Sequence, residues 1–232
     1  MSDSFTLALE GSTYEGSVAQ LRGPDLIAER TLREEDGRTP AAGRGERLLP
    51  AVADCLAEAG IRRGGRSGVT RIICGAGPGS FTSLRVAAAV AKGLATGYGA
   101  ELYAVSSLVL TLAGTRAVLR EGEYLSVLDA MRGEWFAARV MIGSNGTVEQ
   151  RDPAVIMSGA DLAAVAKAEP TLRIIGPGQQ IDSRPHARGV APLLRWIVKN
   201  GPVDLDSWEP DYGRLPEAQV RLEAARESAS RS

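Results

Sequence analysis

One short run, Gly75-Ala76-Gly77-Pro78-Gly79-Ser80-Phe81-Thr82, stands where an apolar strand pattern, Thr70–Cys74, gives way to a helical one. Glycines at alternate positions let the backbone take positive φ or approach another backbone closely. Pro78 stiffens the turn and keeps Gly77 out of helical geometry. Ser80 or Thr82 can cap the helix that follows. Amides left free at such a helix start can hold a phosphate or a carboxylate, which makes Gly77, Gly79 and Ser80 candidate anion or nucleotide contacts. The spacing is neither a G-x-G-x-x-G dinucleotide fingerprint nor a P-loop closed by G-K-[ST].

Four further residues have the chemistry to join them. Glu10 and Ser12 close an apolar run near the start of the chain, and Asp129 and Arg132 sit in a turn between two strand patterns. The two carboxylates suit a general base or a magnesium ligand, and both equally suit a simple strand end. Arg85 lies early in a helix, where a cation opposes the helix dipole unless it is paired or contacts an anion or partner; a solvated arginine is the plain alternative. Ser12, Ser80 and Ser106 lack a nearby histidine base, because the single histidine, His186, sits between Pro185 and Ala187. A His-Cys metal cluster cannot be assembled from this inventory. No catalytic residue and no metal ligand is therefore assigned.

The elements that must position these groups follow from periodicity. Phe5–Leu9, Gly16–Leu21 and Leu26–Leu32 read as three strands with short turns, hence an antiparallel meander. Glu34–Gly45 reads as a polar loop, and Glu46–Ala59 as a helix whose start is displaced by Pro50. After the connector Arg62–Gly68 come the strand at Thr70, a helix over Ser83–Ala95, a strand over Tyr98–Val105 and a helix over Ser107–Leu119. The second half restarts with a hairpin, Tyr124–Leu128 and Trp135–Met141, extended by Val148–Ile156. A helix over Gly159–Ala168, a strand over Leu172–Ile175 and a helix over Val190–Asn200 follow, then a loop and a polar tail from Asp211. The order repeats loosely, so two diverged α/β lobes are expected, residues 1–110 and 111–232.

The helix after the glycine turn is apolar nearly all round. Leu84, Ala87, Ala88, Ala91 and Ala95 form a small-residue stripe at three- and four-residue spacing. It suits packing between a sheet and a neighbouring helix, or close approach of another subunit. Leu49, Val52 and Leu56 supply a matching face on the preceding helix. In bulk, 232 residues with a net charge of -1 give no basic footprint for direct polyanion binding. Cys55 and Cys74 are too few for a disulfide framework. The first residues form no signal peptide and no apolar run reaches bilayer length, so a cytoplasmic protein with no membrane contact is expected.

Gly77–Arg85 followed by Ala91-Lys92-Gly93-Leu94-Ala95 closely resembles the signature of the bacterial TsaB, or YeaZ-like, family. Leu7–Thr13, Glu46–Pro50, Leu128–Phe136 and Tyr212–Ala218 resemble its other segments in order and spacing. The resemblance implies a two-lobed actin-like/hexokinase-like ATPase fold with ribonuclease H-like lobes. It also implies a role in making N6-threonylcarbamoyladenosine at position 37 of tRNAs that read codons beginning with A. The implied role is that of a non-catalytic scaffold, pairing through N-terminal helices with a TsaD-like catalytic subunit and joined by a TsaE-like ATPase. A homodimer is implied when the partner is missing, and tRNA is handled through the complex. No cofactor is assigned to the chain itself; ATP and magnesium belong, if anywhere, to the level of the complex.

The implied pairing is carried onto Leu49, Val52, Leu56, Leu84, Ala87, Ala88, Ala91 and Ala95. The sequence departs from the family pattern at Glu10-Gly11-Ser12, where Asp-Thr-Ser is usual, and at Arg44, Ser83 and Met131. Two rival readings remain. One is a nucleotide-dependent ATPase or phosphotransferase of the same fold using Glu10 and the glycine turn, and the other is a glycopeptidase.

Overall fold

The computed structural model describes residues 4–32, 44–61, 68–144 and 146–214, with the backbone alone at 44–46. The loop expected over Glu34–Gly45, the connector Arg62–Gly68, the Arg44 side chain and the chain beyond Arg214 lie wholly or mostly outside the described residues.

β1 (Phe5–Glu10), β2 (Gly16–Arg22) and β3 (Asp25–Leu32) form the expected antiparallel meander. β4 (Val69–Gly75) and β5 (Glu101–Val105) add in parallel on the other side of β1, in the order β3-β2-β1-β4-β5. Side chains alternate with the strand period. Phe5, Leu7, Leu9, Ile72 and Cys74 face a core under α1 (Arg44–Glu58) and α2 (Phe81–Tyr98). Ala8 and Ile73 face a second core on the opposite side.

The second sheet holds β6 (Gly122–Asp129), β7 (Glu134–Ile142), β8 (Val148–Gln150), β9 (Val155–Ser158), β10 (Arg173–Gly176) and β11 (Ile181–Asp182). Its order is β11-β10-β6-β7-β8, with β9 also on β7. Leu125, Val127 and Ile174 face α4 (Gly159–Ala168), while Tyr124, Val140 and Ile175 share the second core with α3 (Ser107–Ala113) and α5 (Val190–Asn200). That middle core draws from both sheets, so each lobe is covered on both faces. No helix among the described residues is long and apolar enough to cross a membrane.

Four sequence expectations shift. The helix α1 starts at Arg44 rather than later than Glu46, so Pro50 lies in its interior on the solvent side and not in its first turn. An interior proline costs about 3 kcal/mol, but burying Leu48, Val52 and Leu56 returns roughly 1.5–3 kcal/mol for each side chain. The helix α2 extends to Tyr98 because Gly99 takes the left-handed cap, and the strand expected from Tyr98 begins at Glu101. The helix α3 stops at Ala113, since the next turn would run into His186–Gly189: a Cβ at Gly114 would lie 2.9 Å from the His186 carbonyl oxygen. The expected strand Val148–Ile156 is two strands, broken around Pro153, which has no amide to give to a ladder.

His186 anchors the turn that leads into α5. Its Nδ1 accepts from the Arg188 amide at 3.1 Å, so Nε2 carries the proton and donates to Thr31 Oγ1 at 3.0 Å. Glu29 on β3 meets Arg188 at 2.9 Å and also Arg116. Burial, reinforced by the Arg188 and Arg116 cations, pushes the imidazole down to about 3. A depressed histidine contributes stability that is fully present above the unfolded value near 6.5 and is lost as pH falls toward 3. We therefore expect thermal stability to decline already between about pH 6.5 and 5, and His186→Gln to flatten that part of a Tm-against-pH curve.

Candidate functional site between the lobes

The C-terminal ends of β1, β4 and β6, with the loops that follow them, meet at one cleft of about 1320 Å³. Ser12, Thr13 and Tyr14 come from the turn after β1, Gly79, Ser80 and Phe81 from the turn after β4, and Asp129–Arg132 from the hairpin after β6. Tyr212, Gly213 and Arg214 close one side. The structure thus brings together Ser12, Gly79, Ser80, Asp129 and Arg132 among the residues singled out in the sequence. It does not bring Glu10, Gly77 or Arg85 to the lining.

Glu10 is sealed beneath this cleft and is fully buried. Its Oε1 accepts from the Ser12 amide at 2.6 Å and its Oε2 from Ser107 Oγ at 3.0 Å. Burial raises its pKa above the ordinary 4.5, partly offset by Ser12 and Ser107. The Ser12 hydroxyl lies near enough to favour the charged form, yet makes no well-directed hydrogen bond. A carboxylate with both oxygens engaged and no access to the cleft cannot serve there as an anion contact or a base, which corrects the expectation for Glu10.

The glycine turn is closed in the same way. Gly77 has φ +92°, and a Cβ there would stand 2.1 Å from the Asp211 carbonyl oxygen. The amides of Ala76, Gly77 and Ser80 donate to Val105 O at 2.7 Å, Ser107 Oγ at 3.2 Å and Ser12 O at 2.7 Å. The Gly77 amide is thus spent on the protein itself, so Gly77 is not available as an anion contact. Ser80 occupies the N-cap position of α2 without a capping bond and instead accepts from Ser83 Oγ at 3.1 Å.

Across the cleft, Asp129 Oδ1 accepts from the Met131 amide at 2.7 Å, and the Glu134 amide closes on Met131 O at 3.1 Å. Met131 and Arg132 hold φ +67° and +58°, a left-handed backbone that costs roughly 1–2 kcal/mol at each non-glycine residue. Arg132 lines the cleft from this turn. Arg85 lies outside it, on the exposed side of α2, with its guanidinium 5.4 Å from the Phe81 ring centre. The sequence did not single out Arg184 or Arg214, which pair with Glu15 and Glu134. Nor did it single out Phe81 and Tyr212, whose rings stand 4.6 Å apart. Charge on the lining is therefore balanced and largely paired, unlike a phosphate site. Among the described residues no three His, Cys, Asp or Glu side chains gather to hold a metal ion.

The partner stripe read from the sequence needs correction as well. Leu84, Ala87, Ala88, Ala91 and Ala95 are buried within the chain, as are Val52 and Leu56 on α1; only Leu49 is exposed. Ala87 lies against Gly11, where a Cβ would come within 2.7 Å of it. The stripe is a core seam because α2 must approach the end of β1 closely.

Two stability outcomes follow. A carboxyl whose pKa is raised by folding contributes stability below its unfolded value that is lost as pH rises through the folded one. Glu10→Gln should therefore raise Tm relative to the parent, by a margin that grows as pH climbs above 4.5. A Cβ at Gly75 would stand 1.9 Å from Glu10 Oε2, so Gly75→Ala should cost about 3 kcal/mol in urea denaturation.

A family model described as TsaD, tRNA N6-adenosine threonylcarbamoyltransferase, matches residues 41–171. A Mycobacterium tuberculosis protein is 28% identical over 93% of this chain and 94% of its own length. The Bacillus subtilis tRNA threonylcarbamoyladenosine biosynthesis protein TsaB is 26% identical over 93% of this chain and 96% of its own. A Pseudomonas aeruginosa crystal structure, described by its similarity to peptidase YEAZ, superposes with a TM-score of 0.69 at 26% identity, covering 91% of this chain and 100% of that one. The two sheets, each layered by helices on both faces, are accordingly those of the two-lobed actin-like/hexokinase-like fold. With more than half of its length matched by the family model, the chain belongs to the tRNA N6-adenosine threonylcarbamoyltransferase family and is a TsaB/YeaZ-like member of it.

Proposed function

We propose that this chain is a non-catalytic scaffold in the formation of N6-threonylcarbamoyladenosine in tRNA, paired with a TsaD-like catalytic subunit and joined by a TsaE-like ATPase. The names of its relatives support the pathway. The observation that supports the scaffold role is the inward commitment of the groups that could do chemistry. Both Glu10 oxygens and the amides of Ala76, Gly77 and Ser80 are engaged within the chain.

The pairing surface we assign is the solvent side of α1 and α2, at Leu49, Ala89 and Gly93, in place of the buried stripe. A Cβ at Gly93 or Gly97 would meet nothing within 4 Å. Each exposed helix glycine costs about 1 kcal/mol relative to alanine, and nothing inside the chain requires either one. Close approach of a partner helix gives them a reason.

Co-purification with the catalytic subunit and a reconstituted tRNA modification assay test this. Gly93→Ala should raise Tm yet weaken pairing, and Ala89→Arg should abolish both pairing and modification while leaving Tm unchanged. Full modification with both variants would remove the helix face from the proposal. The chain alone should form a homodimer and turn over no ATP. The size of the cleft favours a second reading, a nucleotide-dependent enzyme. Magnesium-dependent ATP hydrolysis by the isolated chain, lost on Arg132→Ala, would put that reading first.

A further inference from the structure

After α5 the chain turns back across the first lobe and reaches the cleft at Tyr212, Gly213 and Arg214. Among the described residues, beyond the Gly201 N to Val198 O bond that caps α5, Gly201–Arg214 is joined to the rest of the backbone by Val203 N to Leu102 O at 2.8 Å and Asp211 N to Ala76 O at 2.7 Å. Its other hydrogen bonds are largely its own. Ser207 N and Oγ donate to Asp204 Oδ1 at 2.8 and 2.6 Å, and Trp208 N donates to Asp204 O at 2.9 Å. Tyr212 Oη donates to Glu209 at 3.3 Å, and Gly213 N to Asp211 Oδ1 at 2.8 Å. The segment is folded on itself before it is attached to anything.

Its attachments are shallow. Val203, Leu205 and Trp208 are only partly buried against the first core, and Lys92 on α2 reaches Asp206 O at 3.5 Å and Glu209 at 3.7 Å. The far end, by contrast, is wedged between the lobes. At Gly213, with φ +66°, a Cβ would lie 2.4 Å from the Phe136 ring and 2.9 Å from Pro78. Arg214 pairs with Glu134 on β7, and Tyr212 leans on Phe81. Few buried apolar contacts and many solvent-facing groups mark segments that open below the free energy of global unfolding.

We infer that Gly201–Arg214 is a detachable strap that unseats as one unit while both sheets stay folded. Unseating frees the Gly77 turn, removes the Arg214–Glu134 and Tyr212–Phe81 bridges, and opens the cleft toward Phe136. The strap thus sets how much of the cleft is accessible, and its Lys92 tether links that state to the helix α2.

Native-state hydrogen exchange on the full chain in low urea tests this. Val203 and Asp211 amides should exchange at one common rate, about tenfold or more faster than Leu7 and Ile73 in the sheet, and with little urea dependence because little surface opens. Gly213→Ala, which has no room for its methyl group, should accelerate both amides about tenfold and increase acrylamide quenching of Trp208. Lys92→Ala should act in the same direction by a route that leaves the glycine niche intact. Exchange of Val203 and Asp211 at unlike rates, or with the steep urea dependence of the sheet, would overturn the strap as a unit. No acceleration in either variant would overturn the attachments assigned to it.

Discussion

Glu10 stands where three parts of the chain must meet: the end of β1, the glycine turn after β4 and the first residue of α3. Its carboxylate gathers the Ser12 amide and the Ser107 hydroxyl, and Ser107 in turn receives the Gly77 amide. A buried carboxylate without a cation partner is costly unless its lone pairs are filled, so these neighbours are held to their places by the penalty for leaving. The turn after β1, the Gly77 turn and the start of α3 are tied together at that one group.

The same arrangement divides the molecule into inward and outward functions. Around Glu10, the Ser12 amide, the Ser107 hydroxyl and the Gly77 amide are matched to each other, and the Ser12 hydroxyl alone of this group makes no well-directed hydrogen bond. On the far side of α2, Ala89, Gly93 and Gly97 leave a strip of small exposed residues beside Arg85 and Thr96. A protein whose polar groups are engaged internally, and whose helix face is bare, has its free surface in the place suited to contact rather than to chemistry. The cleft remains open, yet Arg184 and Arg214 in its lining already have carboxylate neighbours in Glu15 and Glu134.

Much of the fold was legible because strand alternation is a local signal. The meander β1–β3, the strand entering the glycine turn and the hairpin β6–β7 follow from residues adjacent in sequence. The helix stripe was legible as a face but not as an environment: Ala87, Ala91 and Ala95 repeat at helical spacing whether the neighbour is Gly11 of the same chain or another subunit. The fate of Glu10 was hidden because Ser107 lies 97 residues away. The hold on Gly201–Arg214 was hidden because its partners, Ala76, Phe81, Leu102 and Glu134, lie far from it in sequence. The end of α3 was missed for the same reason, being set by a collision with His186–Gly189 rather than by a local stop.

The contact between Glu10 and Gly75 also constrains how this site can change over time. With Oε2 lying 1.9 Å from where a Cβ at residue 75 would be, the long acid and any larger residue at 75 exclude each other. Shortening residue 10 to aspartate first would vacate the space of one methylene and make room beside residue 75; enlarging residue 75 first would meet the full clash. Substitutions at the two positions are therefore strongly non-additive, and one order of replacement is passable while the other is blocked.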